Sequence, residues 1–254
     1  MCLEPNLINA RLWLLAHQDD EVLGLHLNSR SYRNYVIYLT DGVHRNATYG
    51  STKRAAEAGR AWQSLDPSAE LNFFGTVHSI EDGILAQQVN ASHLNELISI
   101  CQDKGIREIV SLQLEGGHQD HDITSLLAEE LSRRLSLKLT VFPAYRALHK
   151  RFPLYAVMSS TKVNNKSVQS SFLTRIKLAR RSFLLMKNYQ TQITTWIGLG
   201  PFILFKYLFG KCTYLSYVPS QEMKQSLPIN LLYTIRNSHS GLDYGKFCRE
   251  ISTW

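Results

Sequence analysis

Two clusters of metal-ligating side chains stand far apart in this chain of 254 residues: His17-Gln18-Asp19-Asp20-Glu21 and His118-Gln119-Asp120-His121. Imidazoles and carboxylates at this density are the donors of a hydrolytic metal centre. Catalytic zinc usually takes three protein ligands from His and Asp or Glu and leaves one position open for water. His17, Asp20 and His121 make such a set, for zinc or another divalent ion, and the ion lowers the pKa of its water towards ~7. A carboxylate that does not ligate is then needed to take the proton and later deliver it to the leaving group; Asp19, next to a ligand, is placed for that. The oxyanion that develops on an attacked carbonyl needs a facing donor, for which His118 is the candidate, with Asp120 to orient its imidazole. Taken singly, the clusters also fit a plainer role, because Asp residues cap helices and Asp19-Asp20-Glu21 would complement a helix dipole.

What favours one shared centre is the position of both clusters at the ends of short apolar runs. Arg11 to Ala16 and Glu108 to Leu112 are too short and apolar for surface helices, and each is followed at once by polar residues. Further runs of this kind occupy Tyr35 to Leu39, Glu70 to Phe74 and Leu139 to Phe142, with helix-compatible segments such as Ser51 to Leu65 between them. Alternation of strand and helix predicts βαβ units, a mostly parallel sheet and helices on both faces. In such a fold the loops leaving the carboxyl ends of neighbouring strands converge on one crevice. Tyr145-Arg146, just past the fifth run, are placed to line it.

The same residues resemble those of the LmbE-like or PIG-L zinc deacetylases, whose signatures are Ala-His-Pro-Asp-Asp-Glu and a later His-Pro/x-Asp-His. Here they read Ala16-His17-Gln18-Asp19-Asp20-Glu21 and His118-Gln119-Asp120-His121. The likeness extends to Leu39-Thr40-Asp41-Gly42 and to Arg54-Ala55-Ala56-Glu57, covers residues 10–145 well, and is faint beyond Pro153, where only Lys187 to Gln192 is similar to the family's Tyr-x-Ser-Gln element. The resemblance implies a Rossmann-like α/β fold with a divergent helical or irregular C-terminal extension, residues 153–254, in one domain spanning 1–254. It implies hydrolysis of the N-acetyl group of an amino sugar, with His17, Asp20 and His121 as metal ligands, Asp19 as general base, His118 and Asp120 as the assisting pair, and Arg54 and Asp41 near the substrate. Gln18 departs from the family's proline, restoring an N–H and removing a fixed φ; no ligand is lost.

Charge is unevenly spread. Residues 131–221 carry fifteen Lys and Arg and no acidic residue, whereas residues 1–130 carry nine against eighteen Asp and Glu. A basic block attracts nucleic acid, an anionic membrane face or a phosphorylated substrate, and by itself does not choose. No nucleic-acid reading motif accompanies it, so no nucleic-acid partner is expected. The expected partner is an amino sugar on a phosphorylated, lipid- or nucleotide-linked carrier, with Lys150-Arg151 and Arg180-Arg181 as the pairs to meet it, and with peripheral contact at the cytoplasmic face of a membrane. An amidase acting on a thiol-sugar conjugate and an inactive, binding-only protein stay open as alternatives. The scattered Cys2, Cys101, Cys212 and Cys248 and the lack of a charged, then apolar, amino terminus predict a cytoplasmic location.

The last hundred residues are less regular. Ser170 to Gln190 is expected to be a helix whose stripe Phe172, Ile176, Ala179, Phe183 and Met186 packs in the core, with a membrane-surface role as the alternative. The apolar stretch Trp196 to Phe205 is too short to span a membrane, which takes ~20 residues, and reads as a buried loop, a lid or an interfacial patch. His26, His44, His78, His93, His149 and His239 have no ligand-spaced partner and are expected to lie outside the site.

Overall fold

The run at the first cluster forms strand β1 (Ala10–Leu15), buried along its whole length. Leu12 and Leu14 enter one core and Trp13 and Leu15 the other, as the two-residue period of a strand covered on both faces requires. The computed structural model describes residues 9–29, 31–147, 155–160, 166–168, 170–219, 250–251 and 253–254. After β1 come α1 (Glu21–Gly24), β2 (Arg33–Tyr38), α2 (Ser51–Leu65), β3 (Glu70–Asn72), the single turns α3 (Phe74–Val77) and α4 (Leu85–Gln88), α5 (Ala91–Asp103), β4 (Ile106–Leu112), α6 (Gln119–Leu135) and β5 (Lys138–Phe142). Then follow β6 (Tyr145–Ala147), β7 (Tyr155–Val157), β8 (Lys166–Ser167), the helices α7 (Phe172–Asn188) and α8 (Ile193–Phe209), and β9 (Thr213–Tyr217).

The main sheet runs in the order β3-β2-β1-β4-β5-β9-β8. Its first five strands are parallel, and β9 and β8 close the edge antiparallel. This is a Rossmann-like α/β fold with helices on both faces. α5 and α6 bring Leu94, Leu97, Leu127 and Leu131 to the core that holds Leu12. On the opposite face α2, α7 and α8 bring Ala58, Trp62, Leu185 and Ile203 against Trp13. Each large apolar side chain so covered contributes ~1.5–3 kcal/mol over leaving it exposed. The strand order reverses between β1 and β4, so their connections leave in opposite directions and open a crevice at their carboxyl ends.

Two expectations for the C-terminal part are corrected. The stripe on α7 is not a core stripe: Ala179 and Met186 are buried together with Ser182 and Leu185, whereas Phe172, Ile176 and Phe183 are exposed. The helix is turned so that its small residues Ala179 and Ser182 face inward, and Arg181 of α7 donates to the Leu65 carbonyl at the end of α2 (2.7 Å). Trp196 to Phe205 is not a loop but the body of α8, buried along Trp196, Gly200, Ile203 and Tyr207 and open elsewhere. Among the described residues no helix is long and apolar enough to cross a membrane.

Candidate metal centre

The loop after β1 is shaped by Asp20. Its Oδ2 accepts the backbone N–H groups of Ala16 (3.1 Å) and His17 (2.9 Å), folding the loop back so that Oδ1 lies 3.1 Å from His121 Nε2. The loop after β4 is shaped by Asp122, whose Oδ1 accepts the N–H groups of Glu115 (3.0 Å) and Gly116 (3.1 Å). That turn places His118 as the N-cap of α6 and His121 on its first turn. Across the crevice His17 Nδ1 stands 3.2 Å from His121 Nε2 and 3.8 Å from Asp20 Oδ2. Two loops separated in sequence thus bring three side chains together at His121 Nε2, which lies 3.2 Å from His17 Nδ1 and 3.1 Å from Asp20 Oδ1, while the other Asp20 oxygen is the one 3.8 Å from His17. His118 is also close: His17, His118 and His121 offer ring nitrogens that all lie within 4.8 Å.

The other side of His17 was not foreseen. Its Nε2 lies 3.2 Å from Asp120 Oδ2 and 3.3 Å from Asp82 Oδ1. Asp120, expected to orient His118, therefore directs its carboxylate to His17, because that carboxylate is fixed by the N–H groups of Gly83 (2.6 Å) and Leu85 (3.2 Å). It is instead the backbone N–H of Asp120 that donates to His118 Nδ1 (3.2 Å). Asp82, from the loop before α4, had no signal beyond an acidic residue preceding Gly83, which reads as a turn.

Burial and neighbouring charge set the protonation states. For His17 burial disfavours the charged ring, yet Asp82 and hydrogen bonds to Asp120, Asp20 and Asp82 lift its pKa well above the usual value. For Asp20 burial pushes upward, but His121 and then His17 hold the carboxyl well below its ordinary range. Asp19 is lifted by burial to about 6, against the pull of Arg54. His118 is lowered by burial, and then by His17, to about 4, so its ring is neutral near pH 7.

Of the residues expected near substrate, Arg54 lines the cavity over this centre but is largely engaged. Its Nη2 donates to the Gln18 carbonyl (2.5 Å) and to Asp19 Oδ1 (3.2 Å), and its Nη1 to Thr191 Oγ1 (3.1 Å). Asp41 is not among the described residues lining the cavity; its Oδ1 accepts the N–H groups of Val43 (2.9 Å) and Asp82 (3.2 Å) and holds a loop. Arg180 and Arg181 do not line the cavity either; Lys150-Arg151, His149 and His239 lie outside the described residues. His44, expected to have no part in the site, lines it, as does Tyr145, whose ring packs edge-on against His121. The cavity measures about 520 Å³, and its far wall is the start of α8, including Thr195, Trp196, Leu199 and Phe202. The faint Lys187-to-Gln192 element docks here: Tyr189 donates to Glu21, and Thr191 bonds to Glu57 through N–H (3.0 Å) and hydroxyl (2.5 Å).

The profile of the PIG-L family, described as GlcNAc-PI de-N-acetylase, matches residues 12–132. No curated protein matches the chain. Crystal structures of similar fold include a deacetylase of the teicoplanin biosynthesis pathway in complex with bog, 14% identical with a TM-score of 0.59 and covering 84% of this chain and 100% of that one. The zinc-inhibited form of the teicoplanin deacetylase Orf2 is 13% identical, with a TM-score of 0.59 and coverage of 84% and 100%. N,N'-diacetylchitobiose deacetylase from Pyrococcus horikoshii is 14% identical, with a TM-score of 0.56 and coverage of 83% and 84%. Residues 12–132, which contain both clusters together with Arg54 and Asp82, thus match the PIG-L family profile, and the chain shares the fold of these deacetylases.

Proposed function

We propose that this protein is a metal-dependent hydrolase that removes the N-acetyl group of an amino sugar, adding water across the amide to release acetate and the free amine. We further propose that the sugar is borne on an anionic, phosphate-bearing or lipid-linked carrier, a reading supported by the acid-free basic stretch 131–221. The observation that carries the first part is the meeting of His17, Asp20 and His121 at a cavity wall, with His121 Nε2 3.2 Å from His17 Nδ1 and 3.1 Å from Asp20 Oδ1.

These residues fit a divalent ion such as zinc. Donors ~2.1 Å from a tetrahedral centre stand ~3.4 Å apart, and His121 Nε2 lies 3.2 Å from His17 Nδ1 and 3.1 Å from Asp20 Oδ1. A ligating imidazole usually has its second nitrogen held by a carboxylate, carbonyl or water; His17 Nε2 meets this through Asp120 and Asp82, whereas His121 Nδ1 is buried without a partner among the described residues. When bound, such an ion supplies Lewis acidity and makes water a competent nucleophile near neutral pH.

The chain's own groups do the rest. Asp19, with its pKa lifted to about 6, takes a proton from the attacking water and returns it to the departing nitrogen. Arg54 holds that carboxylate in place at 3.2 Å. Because His118 Nδ1 accepts the Asp120 N–H, the neutral ring keeps its proton on Nε2 and donates it as a hydrogen bond to the developing oxyanion. A cavity of about 520 Å³ falls in the range of small-molecule sites, ~300–1,000 Å³.

The test is acetate release from N-acetylglucosamine conjugates by purified, metal-loaded protein. Release that stops on chelation and returns with a divalent ion is the expected result. Release indifferent to chelation, or none from any N-acetyl sugar, would remove the reading.

A further inference from the structure

The described residues expose twelve large apolar side chains, and ten of them lie on α7 and α8. On α8 Ile193, Ile197, Phe205 and Phe209 follow four-residue steps with Pro201 between, a row that winds slowly round the half of the helix turned away from Trp196, Ile203 and Tyr207. Ile197 is 71% exposed and Phe205 64%. On α7, Phe172, Leu173, Ile176, Phe183 and Leu184 are interleaved with the exposed Lys177, Arg180 and Lys187. The opposite sides of both helices are committed to the body: Ala179, Leu185 and Met186 from one, Trp196, Ile203 and Tyr207 from the other.

An apolar face of this extent is more than scattered surface leucines explain, and faces of this kind mark partner or membrane surfaces. Its chemistry selects between occupants. The surroundings are basic, with Lys177, Arg180, Lys187 and Lys211 exposed and no acidic residue anywhere from 131 to 221. Large apolar groups set among Lys and Arg are the composition of helices that lie in the headgroup layer, the apolar side chains entering the acyl boundary and the cations meeting anionic lipid. Lys206 on the same helix is held by Ser159 Oγ at 2.8 Å, so the exposed cations are the ones left to meet lipid.

We propose that the α7–α8 hairpin docks this protein on an anionic lipid surface, with the mouth of the cavity beside the contact. α8 supplies both features. Leu199 and Phe202 wall the cavity, and Phe202 is also 60% exposed, so the cavity opens along the apolar row. A substrate whose apolar part stays in the bilayer can then present its head to the centre without leaving the membrane. Only this last step rests on the deacetylase reading; docking itself does not.

The experiment is sedimentation of the full-length protein with vesicles of phosphatidylcholine alone and of phosphatidylcholine with phosphatidylglycerol, with turnover of a water-soluble N-acetyl sugar measured in parallel. Binding is expected to the anionic vesicles and to fall with salt. The pair Phe205→Ser and Phe209→Ser should weaken partition by at least ~10-fold, and the pair Lys177→Glu and Arg180→Glu by at least ~10-fold, each leaving the soluble turnover unchanged. Equal partition on neutral and anionic vesicles, or none on either, overturns the proposal. So does a wild-type protein that ignores vesicles and self-associates until Phe205 and Phe209 are replaced, because the face is then a contact between copies. Loss of acetate release with vesicle binding intact would instead sink the deacetylase reading alone.

Discussion

Adjacent carboxylates in the first cluster do different work because their surroundings differ. Asp20 is held ionised between two imidazoles and two backbone N–H groups, whereas burial lifts Asp19 to about 6 beside Arg54. Asp19→Asn is expected to keep metal content but lose turnover by ~10²-fold or more, the usual scale of general-base assistance; metal analysis with kcat on one sample checks both halves. His17→Ala should lose the ion on dialysis, and full occupancy afterwards would remove it from the ligand set. The types and spacing of His17, Asp19, Asp20, His118 and His121 were readable from the chain because all sit where strands end. Asp82 was not, since one acidic residue before a glycine in a loop carries no period or partner in sequence. Gln18 shows what replaces the family's proline: its Nε2 donates to the Thr40 carbonyl at 3.1 Å, tying the two strand-end loops by a hydrogen bond instead of a fixed φ. Gly42 makes room for it, with φ +65° and a Cβ position only 1.8 Å from Gln18 Oε1.

At the level of elements, the five parallel strands were recoverable because a strand buried on both faces reads as an unbroken apolar run. The face of α7 was not, because it offers apolar residues on nearly every side and only packing decides which turn inward. The second loop depends on a close approach: a Cβ on Gly117 would lie 1.7 Å from the Tyr145 carbonyl. Gly117→Ala must therefore displace β6 or the turn leading to His118, at about 1–3 kcal/mol, and should lower Tm by ~2–4 °C for each kcal/mol. Glu115, in the same turn, accepts the Ala144 N–H at 2.6 Å and is lifted by burial from 4.5 to about 8. The folded state thus holds this proton more tightly than the unfolded chain does. Its contribution is fully present below 4.5 and is lost as pH rises through about 8. Glu115→Gln should accordingly narrow the difference in Tm between ~pH 5 and ~pH 9; an undiminished difference would show that Glu115 is not its source.

Over the whole molecule charge is divided along the chain, with an acidic excess in residues 1–130 and a basic, acid-free stretch in residues 131–221. If the basic stretch receives an anionic carrier, added salt should raise KM for a phosphorylated substrate and barely affect a neutral fragment, since screening acts over ~10 Å at ~0.1 M. Equal salt response for both would discard the anionic carrier. The main sheet itself is completed late. β5 pairs with β9 through Leu139, Thr140 and Val141, but β9 is synthesised roughly seventy residues after β5. At ~5–20 residues per second a nascent chain carries β5 as a bare edge for roughly 4–14 s, a template on which neighbouring chains can add strands. A fragment halted at residue 147 should therefore scatter light and aggregate faster than the full chain on dilution from denaturant, and Lys in place of Thr140 in that fragment should slow it.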